Sequence, residues 1–200
     1  MKKITLLLVL VATTGLAQIK GNKNIKTRTF PIENVKNIKI NFYANVTIDA
    51  SAEEGLTITT DSNLFDLINK EVIDSTLYLD QKEWILPSQK TIITIGATNL
   101  NRVEQGTHHT TRIINVNNDE FRVNAPIGKV FIEGKTKELR IGSETSKIDA
   151  TKIIAEKAYV NLWSWGTVKV NVTNLLWADV SNGGKLFYVN KPLKLDTKTK

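Results

Sequence analysis

Gly128-Lys129-Val130, Ser146-Lys147-Ile148, Gly166-Thr167-Val168 and Gly184-Lys185-Leu186 repeat one phrase: a small residue, then Lys or Thr, then an aliphatic that opens a strand. The aliphatics Val130, Ile148, Val168 and Leu186 stand 18, 20 and 18 residues apart. Just upstream lie matching strand ends, Val123, Ile141, Leu162 and Val180, spaced 18, 21 and 18. Each unit reads as strand, tight turn, strand, looser turn. A fixed β period of this length is the mark of a β-solenoid, in which one repeat is one coil. About five inward aliphatics per coil bury too little surface to order the coil alone, so it is stable only between neighbours. The fold class is all-β.

Working outward from the repeat, the period stays at two. Val35, Ile38 and Ile40 lead to Phe42, and Val46 and Ile48 alternate with Thr47 and Asp49. Glu53-Glu54-Gly55 is a turn signal before Leu56-Thr57-Ile58. Leu77-Tyr78-Leu79 and Ile92-Ile93-Thr94-Ile95 are further strands, parted by Pro87-Ser88. Only Leu64, Leu67, Ile68 and Val72 have helical spacing, and helix and strand remain open there. Composition agrees: of 200 residues, 60 are Ile, Val or Thr, the β-branched set. An apolar fraction of 41% is too high for a disordered chain. Zero cysteines exclude a disulfide scaffold, a zinc finger, a thiol nucleophile and a lipidated N-terminal cysteine.

The N-terminus carries an address. Lys2-Lys3, the apolar run Ile4 to Ala12, and Gly15-Leu16-Ala17 form the three parts of a secretory signal peptide. Residues 1–17 are expected to be removed by cleavage after Ala17, placing the protein in the periplasm, at the cell surface or outside. No apolar run reaches the about 18 residues of a membrane helix. Without Lys2 and Lys3 the net charge of +7 falls to +5. An exported chain does not meet the genome, so nucleic acid is not an expected partner, and the basic excess points to acidic polymers or anionic envelope surfaces. Residues 18–29 read as a loose polar arm, 30–195 as one β domain and 196–200 as a tail.

The turns of the repeat read Pro126-Ile127-Gly128, Gly142-Ser143-Glu144-Thr145-Ser146, Ser164-Trp165-Gly166 and Ser181-Asn182-Gly183-Gly184. With the signal peptide and the Phe-led alternating strands, this layout resembles the auto-transporter adhesin family with the head GIN domain, over roughly residues 30–190. That family's turns carry Gly-Ser-Gly; none here is intact. The resemblance implies a right-handed superhelix of two sheets, shaped like pectin lyases, and a non-enzymatic role at the cell surface in adhesion.

Chemistry-bearing clusters are sparse. His108 and His109 are strand neighbours pointing to opposite faces, so one metal cannot easily take both, and they read as exposed loop residues beside Gly106. No Gly-x-Ser-x-Gly elbow and no phosphate loop occurs, and no cofactor is expected. The rival reading is a polysaccharide lyase or glycosidase on the solenoid, which needs clustered carboxylates. Projected onto successive coils, Asp149 falls near Lys169 and Phe187, and Asp179 near Asn161 and Arg140: isolated acids beside cations or amides.

The aromatics say more. With Val160 and Leu162 inward, Tyr159, Trp163 and Trp165 point out, and an offset of 18 sets Tyr159 beside Trp177. Such a patch reads either as packing under a covering segment or partner chain, or as a platform for a sugar ring. The basic tail from Pro192 could supply that cover, with lysines on the indole faces. The expected function is an adhesin-like binding module whose partner is a glycan, another surface protein or a second copy, with Tyr159, Trp163, Trp165 and Trp177 as its contact residues.

Overall fold

A computed structural model describes residues 18–199. The expected signal peptide, 1–17, and its cleavage point lie outside these residues. In chain order the strands are β1 (Ile19–Lys20), β2 (Ile25–Phe30), β3 (Asn37–Ile40), β4 (Ala44–Asp49), β5 (Gly55–Asp61), β6 (Ile68–Asn69), β7 (Val72–Ile73), β8 (Thr76–Gln81) and β9 (Ile85–Leu86). There follow β10 (Thr91–Gly96), β11 (Arg102–Gln105), β12 (Thr110–Ala125), β13 (Lys129–Ser143), β14 (Lys147–Leu162), β15 (Thr167–Val180), β16 (Lys185–Tyr188) and β17 (Lys194–Thr199). Across Leu64 to Val72, where the sequence leaves helix and strand open, the chain forms a 3-10 turn, Phe65–Leu67, then the short strand β6 and the start of β7.

The four central strands are longer than the sequence suggested. The looser turn expected within each unit is a bulge, not a break, so one bent strand makes one coil. Register shifts between Ile113 and Val116, Phe131 and Glu133, and Ala150 and Ala155 mark the bends. At the second of these stands Gly134, with φ +136°, where a Cβ would run into the Val116 backbone. Only glycine fits that bend.

The halves on either side of the bends belong to two faces. First halves of β12 to β15 pair in parallel and continue to β4, β10, β5 and β2 at one end and β16 at the other. Second halves continue to β11, β3 and β8 at one end and to β17 at the other. The coils stack as a β-solenoid, and the alternating inward residues of both faces fill one apolar core.

The inward column is in register: Val130 opposite Ile148, Ile148 opposite Val168, Val168 opposite Leu186. The first three are fully buried, and Leu186, on the last coil, is partly so. The second column is corrected by two residues. Ile141 pairs with Val160, not Leu162, and Leu162 pairs with Ser143 and Val180. A slip of two keeps the same side chains inward, so alternation alone could not reveal it.

The segments read as a loose arm and as a tail are both paired. Residues 18–29 contain β1, beside β9, and most of β2, antiparallel to β5. Hydroxyl pairs Thr27–Thr59 (2.9 Å) and Thr29–Thr57 (3.1 Å) tie β2 to β5 on one face, and Phe30 packs against the core at its end. Residues 196–199 belong to β17, parallel to β15.

Candidate functional site

Because the coils are in register, outward residues line up across them. On the second face one row runs Arg102, Arg122, Arg140, Tyr159, Trp177, Asp196. The next row inside it runs Asn124, Gly142, Asn161, Asp179. Gly142 presents no side chain, so Asn124 Oδ1 and the Trp163 ring close over the strand there. A Cβ at that position would sit 2.7 Å from Asn124 Oδ1 and 3.2 Å from the Trp163 ring. The result is a groove of about 540 Å³, with the Arg-aromatic row along one side and Trp163 standing over Gly142.

Tyr159 and Trp177 lie side by side, ring centroids 6.5 Å apart and tilted by 41°. The Arg140 guanidinium sits 4.7 Å from the Tyr159 ring centre. The tail expected to lay lysines on the indole faces instead pairs as β17 beside β15, with Asp196 opposite Trp177, and the cation on this face, Arg140, stands over Tyr159. Trp163 is 46% exposed and lines the groove. Trp165, 79% exposed, turns to the next coil and lies against Gly183. The four aromatics therefore divide: three share the groove, and Trp165 stands outside it.

Acids on this face hold the arginines. Arg102 pairs with Glu104. Arg122 donates its Nε to Glu120 at 2.6 Å, and Arg140 reaches Glu120 at 3.2 Å and Glu138 at 2.5 Å. The Arg122 hydrogen bond, outweighing burial and joined by the charges of Arg122 and Arg140, keeps the Glu120 carboxyl below its ordinary pKa. Asp179 does stand opposite Asn161, but Arg140 is two positions away, beside Tyr159. The 19-residue step from β13 to β14 shifts it. On the other face Asp149 pairs with Lys169, as expected. Burial would raise its pKa, but donors from Thr151 and the charges of Lys169 and Lys152 bring it below the usual value.

The arginine row is what sequence reasoning missed. Arg102-Val103, Arg122-Val123, Arg140-Ile141, Tyr159-Val160 and Trp177-Ala178 each set an outward residue before an inward one, 18 to 20 residues apart. That recurrence was the available signal.

The histidines split in burial. Both lie in the loop before β12, as expected; His108 is exposed, whereas His109 is buried against Tyr43, a correction to its expected exposure. Burial, with the charges of Lys90 and His108, lowers the His109 pKa and keeps it neutral at pH 7. Among the described residues no group of three or more His, Cys, Asp or Glu is placed to hold a metal. Among them, too, no helix is long and apolar enough to cross a membrane.

A two-face β-solenoid carrying an aromatic and arginine groove on one outer surface is the class of protein this geometry defines. The model of the family described as "Putative auto-transporter adhesin, head GIN domain" matches residues 34–126 and 123–192, and the chain belongs to that family. Its fold is similar to that of a putative adhesin from Bacteroides fragilis: TM-score 0.74, 20% identity, covering 91% of this chain and 96% of that one. A putative adhesin from Parabacteroides merdae is also similar: TM-score 0.60, 16% identity, 92% and 97% covered. So is a putative lipid binding protein from Parabacteroides distasonis: TM-score 0.54, 19% identity, 92% and 95% covered. No curated protein matches the chain.

Proposed function

We propose that the chain is an exported, non-enzymatic, adhesin-like module of the bacterial envelope, and that the groove along Tyr159, Trp163 and Trp177 holds a glycan. The observation that carries this reading is the pairing of aromatic faces with Asn124 and Asn161. Flat rings pack against the apolar face of a sugar, and amides both donate to and accept from its hydroxyls. Glu120 is not suited to the general-acid role of a glycosidase. A glycosidase acid needs a raised pKa, whereas two arginines keep this carboxylate ionised. The signal-peptide pattern over residues 1–17 supports export.

Two measurements test it. A glycan array probed with the exported protein should give binding that Trp177→Ala weakens at least about tenfold, with the melting temperature little changed, since ring contacts of this kind carry on the order of 1 kcal/mol or more. Loss of fold with binding intact in the folded fraction would make the ring a core residue. Intact mass of the exported protein should match a chain that begins at Gln18; retention of Met1 would overturn cleavage after Ala17.

A further inference from the structure

We propose that the groove is selective for an anionic polysaccharide, lying along the solenoid axis with its carboxylate or sulfate groups on Arg102, Arg122 and Arg140. This rests on the reading of the groove as a glycan site and names the class of glycan. Three guanidinium groups occupy the same outward position on three successive strands. Neighbouring strands are about 4.8 Å apart, a spacing comparable to one sugar along a chain, so successive coils address successive residues of a polymer. A guanidinium has five N–H donors. Arg122 gives only Nε to Glu120, and Arg102 only one terminal nitrogen to Glu104. The glutamates hold Arg102 and Arg122 by one side, and their remaining terminal donors suit a planar carboxylate or a sulfate in the two-bond geometry that lysine cannot supply, whereas Arg140 is already held at Nε by Glu120 and at a terminal nitrogen by Glu138.

The row then changes chemistry in a way a polymer can use. Past Arg140 come Tyr159 and Trp177, with Arg140 already over the Tyr159 ring. An acidic sugar chain offers both halves of this pattern, charged groups on its edge and apolar ring faces. A neutral glycan would leave the charge of the terminal donors on Arg102 and Arg122 unused. Lys157, one strand on from Glu138, adds positive charge beside the row.

The test is calorimetry of the exported protein with alginate oligosaccharides, dextran sulfate and neutral dextran at low and moderate salt. The expected result is binding of alginate, dextran sulfate or both over neutral dextran, weakening as salt screens the contact. Alginate alone would assign the row to carboxylates, dextran sulfate alone to sulfates. Arg122→Gln combined with Arg140→Gln should weaken the anionic ligand at least about tenfold, whereas Lys147→Gln on the opposite face should leave it unchanged. Arg122→Lys, which keeps the charge and loses the fork, should fall between. Anionic binding indifferent to the arginine variants would overturn the proposal. Neutral dextran bound as tightly as the polyanions would overturn it and leave the glycan reading standing. Failure of all three probes overturns the selectivity, and a blank glycan array as well removes the glycan reading itself.

Discussion

Asp61 is a carboxylate with no exposed surface, and it holds the N-terminal strands to the rest of the molecule. It accepts hydrogen bonds from the backbone N–H of Lys23 (2.6 Å), from the backbone N–H of Ser88 (2.7 Å) and from the Ser88 hydroxyl (2.6 Å). Burial alone would favour the neutral acid, but these donors favour the ion and win, so its pKa lies below the ordinary value. A depressed pKa contributes stability that is fully present above the unfolded carboxylate value of about 3.9. That stability is lost as pH falls from there through the lower folded value. Asp61→Asn should therefore cost about 1–3 kcal/mol at neutral pH, because donors that met an anion are left poorly matched. Between pH 3 and 5 its stability should decline less steeply than that of the unchanged protein. Urea melts across that range check both; two parallel profiles would mean that acid attacks some other group.

At the scale of the strand, β15 shows how unequal adjacent residues are. Val168 lies buried between Ile148 and Leu186, and Lys169 stands outside between Asp149 and Phe187. Val168→Ala should cost about 1–3 kcal/mol through lost transfer energy and the cavity left behind. Lys169→Thr should cost under about 0.5 kcal/mol. Equal losses in thermal or urea melts would contradict the inward register. This column was legible in the sequence because a turn residue announces each strand and the aliphatic after it is invariably turned in. Tyr159 beside Trp177 was legible from the strand ends, because the 18-residue step between Leu162 and Val180 holds back to Lys157 and Leu175. The position of Arg140 was not, because the bulges in β13 and β14 change the step to 19 and only pairing fixes the count. Nor were β2 and β17, whose runs Lys26-Thr27-Arg28-Thr29 and Asp196-Thr197-Lys198-Thr199 lack apolar alternation. As edge strands, their backbone bonds to β5 and β15 do what side-chain burial does elsewhere.

Over the whole molecule the two ends of the stack are finished differently. At the N-terminal end the chain passes from β5 through the 3-10 turn to β6 and β7, burying Leu64, Phe65 and Ile68 completely. Phe30 packs against Phe65 from β2, with ring centroids 6.2 Å apart. The opposite end has no such closure among the described residues. Its last coil consists of β16 and β17, joined by a link on which Leu193 is 84% exposed, and Tyr188 and Leu195 are exposed as well. In a stack held by neighbour contacts, a coil with one neighbour is less stable than a coil with two. Opening should therefore begin at β16 and β17 and spread inward, rather than begin at the capped end. Native-state hydrogen exchange should find fast amides in Lys185–Tyr188 and Lys194–Thr199 and the slowest in β12 to β14. Arg102, Arg122 and Arg140 would then sit on the stable part of the row, and Trp177, paired directly with β17, on the part that opens first. If the amides of β17 proved as protected as those of β13, the last coil must be covered in solution, and dilution toward the monomer should then release them.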